Sequence, residues 1–385
     1  MVAANFLVVA ARMSLVTFLG IYFVRVAGIE LALVGAAFLL ENLLRGALAP
    51  LFGALSDRVG RRVLLIPAAA VTAIALPCFL LVSGPASLFV WSMAIGVAGA
   101  VNMPVASALL LDLAPPERRQ AVLALNYTAM SVAYTLGVMP AGYVAERSYA
   151  VLAALSSLGF VLVGLLYFLA LKNAPAPEPA SRAGVLRETV SAFADGAFLR
   201  FASLAFVFPL SMGLVVAASP IFGAEAGLGE GYIGLVLGGN SIIVAALAVP
   251  VATRIEPAGP FRLLGASALL VAAAFACYGL VPGAAAALLV GTVVFSFGEL
   301  VFSSAVPAAV ARLAPAGRRG AYQGGWALVG SFAMGSALVL SSALRDALGG
   351  WPGAWLAYAG LALAAAAGLF ATRGWFLRQR LEARH

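Results

Sequence analysis

Twelve apolar runs, each close to the length of a bilayer-crossing helix, account for most of this 385-residue chain. They fall at 3–27, 32–55, 63–83, 86–112, 120–144, 150–171, 199–224, 231–253, 262–281, 285–311, 321–344 and 353–374. A helix needs about 20 residues to cross the hydrocarbon core, so each run predicts one span. Charged residues make up 10% of the chain, against about 25% in soluble proteins, and the mean hydropathy is +1.05. Lipid is therefore the expected solvent. Residues 1–25 do not read as a cleaved signal peptide: they have no basic n-region, Arg12 interrupts the apolar run, and the stretch is long enough to span.

The net charge of +8 raises the question of nucleic acid, which would need a basic cluster on one face. The positive residues are instead scattered over many short loops, so no nucleic-acid partner is expected. With the N-terminus inside, the inner loops and tail carry eighteen positive residues, from Arg58 to Arg384, and the outer loops carry only Arg25, Arg147 and Arg345. The positive-inside rule then predicts two cytoplasmic termini. Cys78 and Cys277 lie within apolar runs and read as small packing residues. The single histidine is His385, no Cys/His cluster offers a metal site, and no G-x-x-x-x-G-K-[ST] phosphate loop is present. Neither cofactor, metal nor enzymatic activity is expected, and any transport would be passive or run on a gradient.

The chain repeats itself. Leu113-Ala114-Pro115-Pro116-Glu117-Arg118-Arg119-Gln120-Ala121 returns 200 positions later as Leu313-Ala314-Pro315-Ala316-Gly317-Arg318-Arg319-Gly320-Ala321. The same offset relates Glu30 to Glu230, Pro50 to Pro250, and Arg62-Val63-Leu64 to Arg262-Leu263-Leu264. A linker at 173–198, opening with a stiff Pro-rich stretch, separates a first six-helix bundle at 1–172 from a second at 199–385. Within the linker, 185–193 has helical apolar spacing, either lying at the membrane interface or fully solvated.

Between the second and third runs, residues 53–62 read Gly-Ala-Leu-Ser-Asp-Arg-Val-Gly-Arg-Arg. This loop resembles the signature loop of the major facilitator superfamily. Residues 298–322, with Gly298-Glu299, Leu313-Ala314-Pro315 and Arg319-Gly320-Ala321-Tyr322, look most like its drug:proton antiporter group. The resemblance implies an all-α membrane protein with twelve transmembrane helices in two pseudo-symmetric six-helix bundles. It also implies a conformational latch of Gly53, Asp57, Arg58, Gly60, Arg61, Arg62 and Asp112. In that latch Gly53 permits close helix approach and Gly60 the reversal. Asp57 docks at the start of helix 11, near Gly320 and Ala321, and Arg61 pairs with Asp112. The alternative is that these charges only set topology. Gly137-Val138-Met139-Pro140-Ala141-Gly142 on helix 5 partly resembles the family's antiporter motif, though Tyr143 and Val144 replace its closing glycines. Gly137, Pro140 and Gly142 also read simply as a kink.

Ionisable residues inside spans are costly and point to function. Arg12, Glu41, Arg45 and Glu299 lie deep. Glu41 and Arg45 have the favourable i, i+4 order, as a static pair or as one that substrate or a proton breaks. Glu299 has no partner nearby in sequence and reads as a proton carrier or as the countercharge of Arg12. Asn102, Asn126, Tyr127, Tyr134, Asn240 and Trp326 are further candidates to line a cavity, with Asn126 and Trp326 at equivalent places in the repeat. These residues and the resemblance predict a monomeric secondary transporter in a bacterial inner membrane, working by proton-coupled export of drugs or small amphipathic metabolites. An organic-anion transporter using Arg12 and Arg45 is the alternative, and a non-transporting membrane sensor is the remote one. Expected partners are a small-molecule substrate, protons and the bilayer.

Overall fold

A computed structural model of the chain describes all residues except 116–117, 172–188, 256–257, 316 and 383–385. Among the described residues every regular element is helical. The long segments are α1 (Val2–Ile21, prolonged by a π-helical turn, Tyr22–Val26), α2 (Leu31–Val59), α3 (Arg61–Cys78), α4 (Pro85–Leu113), α5 (Arg119–Arg147) and α6 (Tyr149–Ala170). They continue as α7 (Gly196–Glu225), α8 (Glu230–Ile255), α9 (Pro260–Leu280), α10 (Ala284–Leu313), α11 (Arg319–Ala347) and α12 (Trp351–Glu382). Eleven are long and apolar enough to cross a membrane. The other, α5, has 29 residues and is also of spanning length, but carries Asn126, Tyr127 and Thr128 in its first third.

Short turns between the helices rest on few residues. Gly60 adopts φ +91° between α2 and α3, and Gly259 adopts φ +78° at the equivalent turn between α8 and α9. Only glycine takes these left-handed angles without strain, as the reading of Gly60 required. Pro260 follows as the first residue of α9, where its missing N–H costs nothing. Ser148 caps α6 by accepting from the Val151 N–H at 3.3 Å, and Asp195 caps α7 by accepting from the Ala197 N–H at 2.7 Å.

Two compact units emerge, one of Met1–Ala183 with Gly223–Ile242, the other of Gly184–Phe222 with Ile243–His385. The sequence puts the whole of 199–385 in the second bundle, whereas compactness joins 223–242 to the first unit. In the first unit α1 lies against α5 and α6, α2 against α4, and α3 against α4 and α6. Because these helices are apolar all round, hydrophobicity alone cannot choose the buried face. On α6 the buried stripe is Leu152, Ala153, Ser156, Phe160, Val163 and Tyr167, while Leu155, Leu158, Leu162 and Leu165 stay exposed. In a membrane that exposed stripe meets lipid.

Backbones approach closely where glycine allows it. A Cβ at Gly137 would lie 2.6 Å from the Ala10 carbonyl oxygen of α1, and one at Gly96 would lie 2.8 Å from the Glu41 carbonyl oxygen of α2. Gly142 lies against the Glu230 carbonyl and 3.1 Å, measured from a Cβ, from the Gly231 Cα at the start of α8, within the same unit. Gly137 and Gly142 thus act as contact points, and α5 runs helical from Arg119 to Arg147 through Pro140. The expectation for Gly53 fails: among the described residues a Cβ there would meet nothing within 4 Å. The tight α2–α4 approach occurs earlier along α2, at Glu41 and Arg45, and Gly53 instead uses its carbonyl to accept the Ser56 hydroxyl at 2.7 Å.

In the second unit α9 packs against α10 and α12, and the middle of α7 packs on α11. An aromatic stack holds α9 to α12, with Tyr278 and Trp355 centroids 4.7 Å apart, and the Tyr278 hydroxyl bonds Thr292 of α10 at 2.7 Å. Residues 189–191 of the amphipathic segment are helical and run into a 3-10 turn, Ala192–Ala194; its first four residues lie outside the described ones.

Gly137→Ala should therefore destabilise the protein by about 1–3 kcal/mol through overpacking against α1. Gly53→Ala should be neutral or slightly stabilising, since alanine is the better helix former. Thermal unfolding of the two variants in detergent checks this, and equal losses would contradict it.

Candidate functional site

Three charged side chains meet inside the first unit. Arg12 of α1 donates from Nη2 to Glu41 Oε1 at 2.6 Å, and Arg45 donates from Nη2 to the same oxygen at 2.5 Å. The side chains of Arg12, Glu41 and Arg45 are only 13%, 7% and 21% exposed. One carboxylate thus faces two guanidiniums, leaving the cluster one positive charge in excess. Among the described residues the Nε–H donors of both arginines are buried and lack an acceptor.

The room for this cluster comes from α4. A Cβ at Gly99 would come within 3.2 Å of Arg45 Nε, and Gly96 touches the backbone of Glu41. The Glu41–Arg45 pair was legible as an i, i+4 spacing. The role of Arg12 was not, because linear spacing carries no information on the α1–α2 register; Arg12 sits on Glu41. Chemically, the arrangement offers charge-assisted donors to an anion, with Glu41 as the internal anion that already engages them.

The remaining polar residues are placed as follows. Asn126 is buried and accepts from Asn5 Nδ2 of α1 at 2.8 Å, while its own Nδ2 approaches Met130 Sδ at 3.3 Å. Asn5 escaped the sequence reading, although an asparagine in the first apolar run is a visible signal. Trp326 is half-buried, its ring 5.6 Å from Phe201 of α7. The equivalent residues Asn126 and Trp326 therefore each face the first helix of their own bundle. Asn102 is buried with its Oδ1 lacking a partner among the described residues. Tyr127 is exposed, and Tyr134, Asn240 and Glu299 are partly exposed. Each of these four takes part in a polar or ring interaction, so Glu299 is not the isolated carboxyl that its sequence neighbourhood suggests.

At the loop between α2 and α3, Arg61 Nη2 lies 2.6 Å from Asp112 Oδ2 at the end of α4 and 3.4 Å from Asp57 Oδ1. One guanidinium joins the ends of α2 and α4 at the start of α3. Arg62 lies over the Phe168 ring of α6 at 4.7 Å, and Arg58 is exposed. At the opposite end of the unit the Gly231 N–H of α8 donates to Glu146 Oε1 at 2.9 Å, and the Tyr149 hydroxyl donates to Glu230 Oε1 at 3.1 Å. Sequence reasoning missed this second cluster, whose members are 81 to 85 residues apart. Among the described residues no group of three or more His, Cys, Asp or Glu is arranged to hold a metal.

The family model of the Major Facilitator Superfamily matches residues 1–255. The chain belongs to the Major Facilitator Superfamily. No curated protein sequence matches it significantly. Solved structures with a similar fold include the nucleoside transporter NupG, with TM-score 0.77 and 14% identity over 96% of this chain and 97% of that one. The human organic anion transporter MFSD10 (TETRAN) matches with TM-score 0.67 and 19% identity over 96% and 97%. A POT family transporter in complex with 5-aminolevulinic acid matches with TM-score 0.79 and 16% identity over 97% and 95%. These transporters share the helical fold with this multi-pass membrane protein. The family match spans Arg12, Glu41, Arg45 and the loop residues Asp57 to Asp112, whereas Glu299 and Trp326 lie beyond it.

Removing Glu41 strands two cations, while removing Arg12 leaves a neutral pair. Glu41→Ala should cost about 3 kcal/mol or more and Arg12→Ala distinctly less, with a double variant milder than the sum. Unfolding measured in bicelles decides this; equal, additive costs would mean that the three groups do not act together.

Proposed function

We propose that this Major Facilitator Superfamily transporter is a secondary carrier of small organic anions, working by alternating access. The observation that carries the reading is the charge count at Glu41: one buried carboxylate for two guanidiniums, with two further N–H donors unused among the described residues. A carboxylate or phosphate cargo would bind Arg12 and Arg45, and Glu41 would hold them when no cargo is bound. Transport of an organic anion is within the range of this fold, as the human organic anion transporter illustrates. The distribution of arginines supports cytoplasmic termini. Asp57, Arg61 and Asp112, with Arg58, Gly60 and Arg62 around them, form the latch that favours one conformation, which the ion pairs at Arg61 support.

A second reading, proton-driven export of drugs, rests on Glu299, a half-buried carboxyl close to the middle of α10. The two readings separate in proteoliposomes. On the first, carboxylate flux exceeds cationic-dye flux, and Arg45→Gln lowers it roughly tenfold or more, the worth of a hydrogen bond to a charged group. Arg45→Lys should not restore it fully, because lysine lacks the planar fork. Rapid dye efflux driven by a pH gradient, unaffected by Arg45→Gln but abolished by Glu299→Gln, would overturn the first reading in favour of the second.

The latch has its own test. Arg61→Ala and Asp112→Ala should impair transport non-additively while leaving substrate binding intact, and simple additivity would show that they act separately.

A further inference from the structure

The repeat that relates the two halves is broken at one place in a chemically directed way. In the first half Asp112 neutralises Arg61 at 2.6 Å. Two hundred residues on, the aspartate is replaced by Arg312, and the arginine by Phe261. Phe261 is buried and stacked on Phe376 at 4.8 Å, so the old cation position has become apolar packing. Counted from the glycine of the turn, Gly60 or Gly259, the counterpart of Asp57 is Glu256. The second copy therefore keeps an acid before the turn but places a guanidinium where the first copy has Asp112.

Arg312 borders a cavity of about 310 Å³ between α8, α9 and α10. Its walls are apolar, with Ile255, Leu263, Ala305 and Ala308. The two hydroxyls there, Thr253 and Ser304, donate to carbonyls of their own helices, Pro250 at 3.3 Å and Val301 at 3.0 Å. Arg312 itself reaches over the left-handed turn at Gly259, where a Cβ would come 3.9 Å from Nη1. Among the described residues no carboxylate lies within ion-pairing distance of it. Arg254 and Arg262, both exposed, add positive charge beside the same turn, where the sequence holds one acid, Glu256.

We propose that this cavity binds the phosphate headgroup of an anionic phospholipid on Arg312, with the upper part of an acyl chain along the apolar wall. A guanidinium offers two parallel donors to a phosphate, and basic pockets between the ends of transmembrane helices suit lipid headgroups. A soluble anion would use Arg312 but gain nothing from Ile255, Leu263 and Ala308. The site is separate from Arg12, Glu41 and Arg45, and does not depend on which cargo they take.

The test uses the full-length protein, delipidated in detergent and titrated with phosphatidylglycerol, phosphatidylcholine or inorganic phosphate while thermal unfolding is followed. Phosphatidylglycerol should stabilise the wild type and the other two should not. Arg312→Gln should weaken the apparent affinity for phosphatidylglycerol roughly fivefold, as expected for one basic side chain against an anionic lipid. Arg118→Ala, which removes an exposed arginine elsewhere, should leave it unchanged. Ala308→Phe, filling the cavity at an exposed position without touching the charge, should also weaken it and guards against misfolding of the first variant. Equal stabilisation by inorganic phosphate, equal response to both lipids, or an Arg312→Gln protein that binds phosphatidylglycerol as well as the wild type would each overturn the proposal.

Discussion

Glu41 accepts from Arg12 and Arg45 through a single oxygen, and in an apolar helical environment none of the three charges is stable alone. The consequence reaches well beyond the site. To share one carboxylate, α1 and α2 must hold a fixed register, and α2 must lie close enough to α4 that glycine is needed at positions 96 and 99. α1 is in turn fixed against α5 at Gly137 and by the Asn5–Asn126 hydrogen bond. The charge cluster and the small-residue contacts are two sides of one constraint. Helices that have no hydrophobic reason to associate in lipid associate through close packing and polar bonds.

Much of this was legible in the sequence because the physics is local. Span length, the left-handed turn at Gly60 and the Glu41–Arg45 spacing depend only on neighbours along the chain. What could not be read was the register between helices. Arg12 was open as a countercharge for Glu299 and lies on Glu41. Gly53 was assigned a packing role that Gly96 and Gly99 fill instead, because a glycine-rich helix does not announce which glycine meets a neighbour. The contacts of Glu146 and Tyr149 with the start of α8 join residues 81 to 85 positions apart, and no periodicity signals them. The assignment of 223–242 to the first compact unit belongs to the same class of fact.

The internal repeat proved more informative where it fails than where it holds. Matching glycines at 60 and 259 keep the same turn, whereas the acid at 112 and the arginine at 312 give equivalent positions opposite charge. A duplicated fold thus keeps its backbone constraints and diverges in electrostatics, which is where binding differs.

The most direct measurement is infrared difference spectroscopy of the Glu41 carboxylate in the membrane-embedded protein on addition of a small organic anion. If the anion takes the guanidiniums, the carboxylate stretch must shift as Arg12 and Arg45 loosen from Glu41, and the shifted band must vanish in Glu41→Gln. Saturating anion binding with an unchanged Glu41 band would show that the cluster is a static structural pair and that the cargo binds elsewhere.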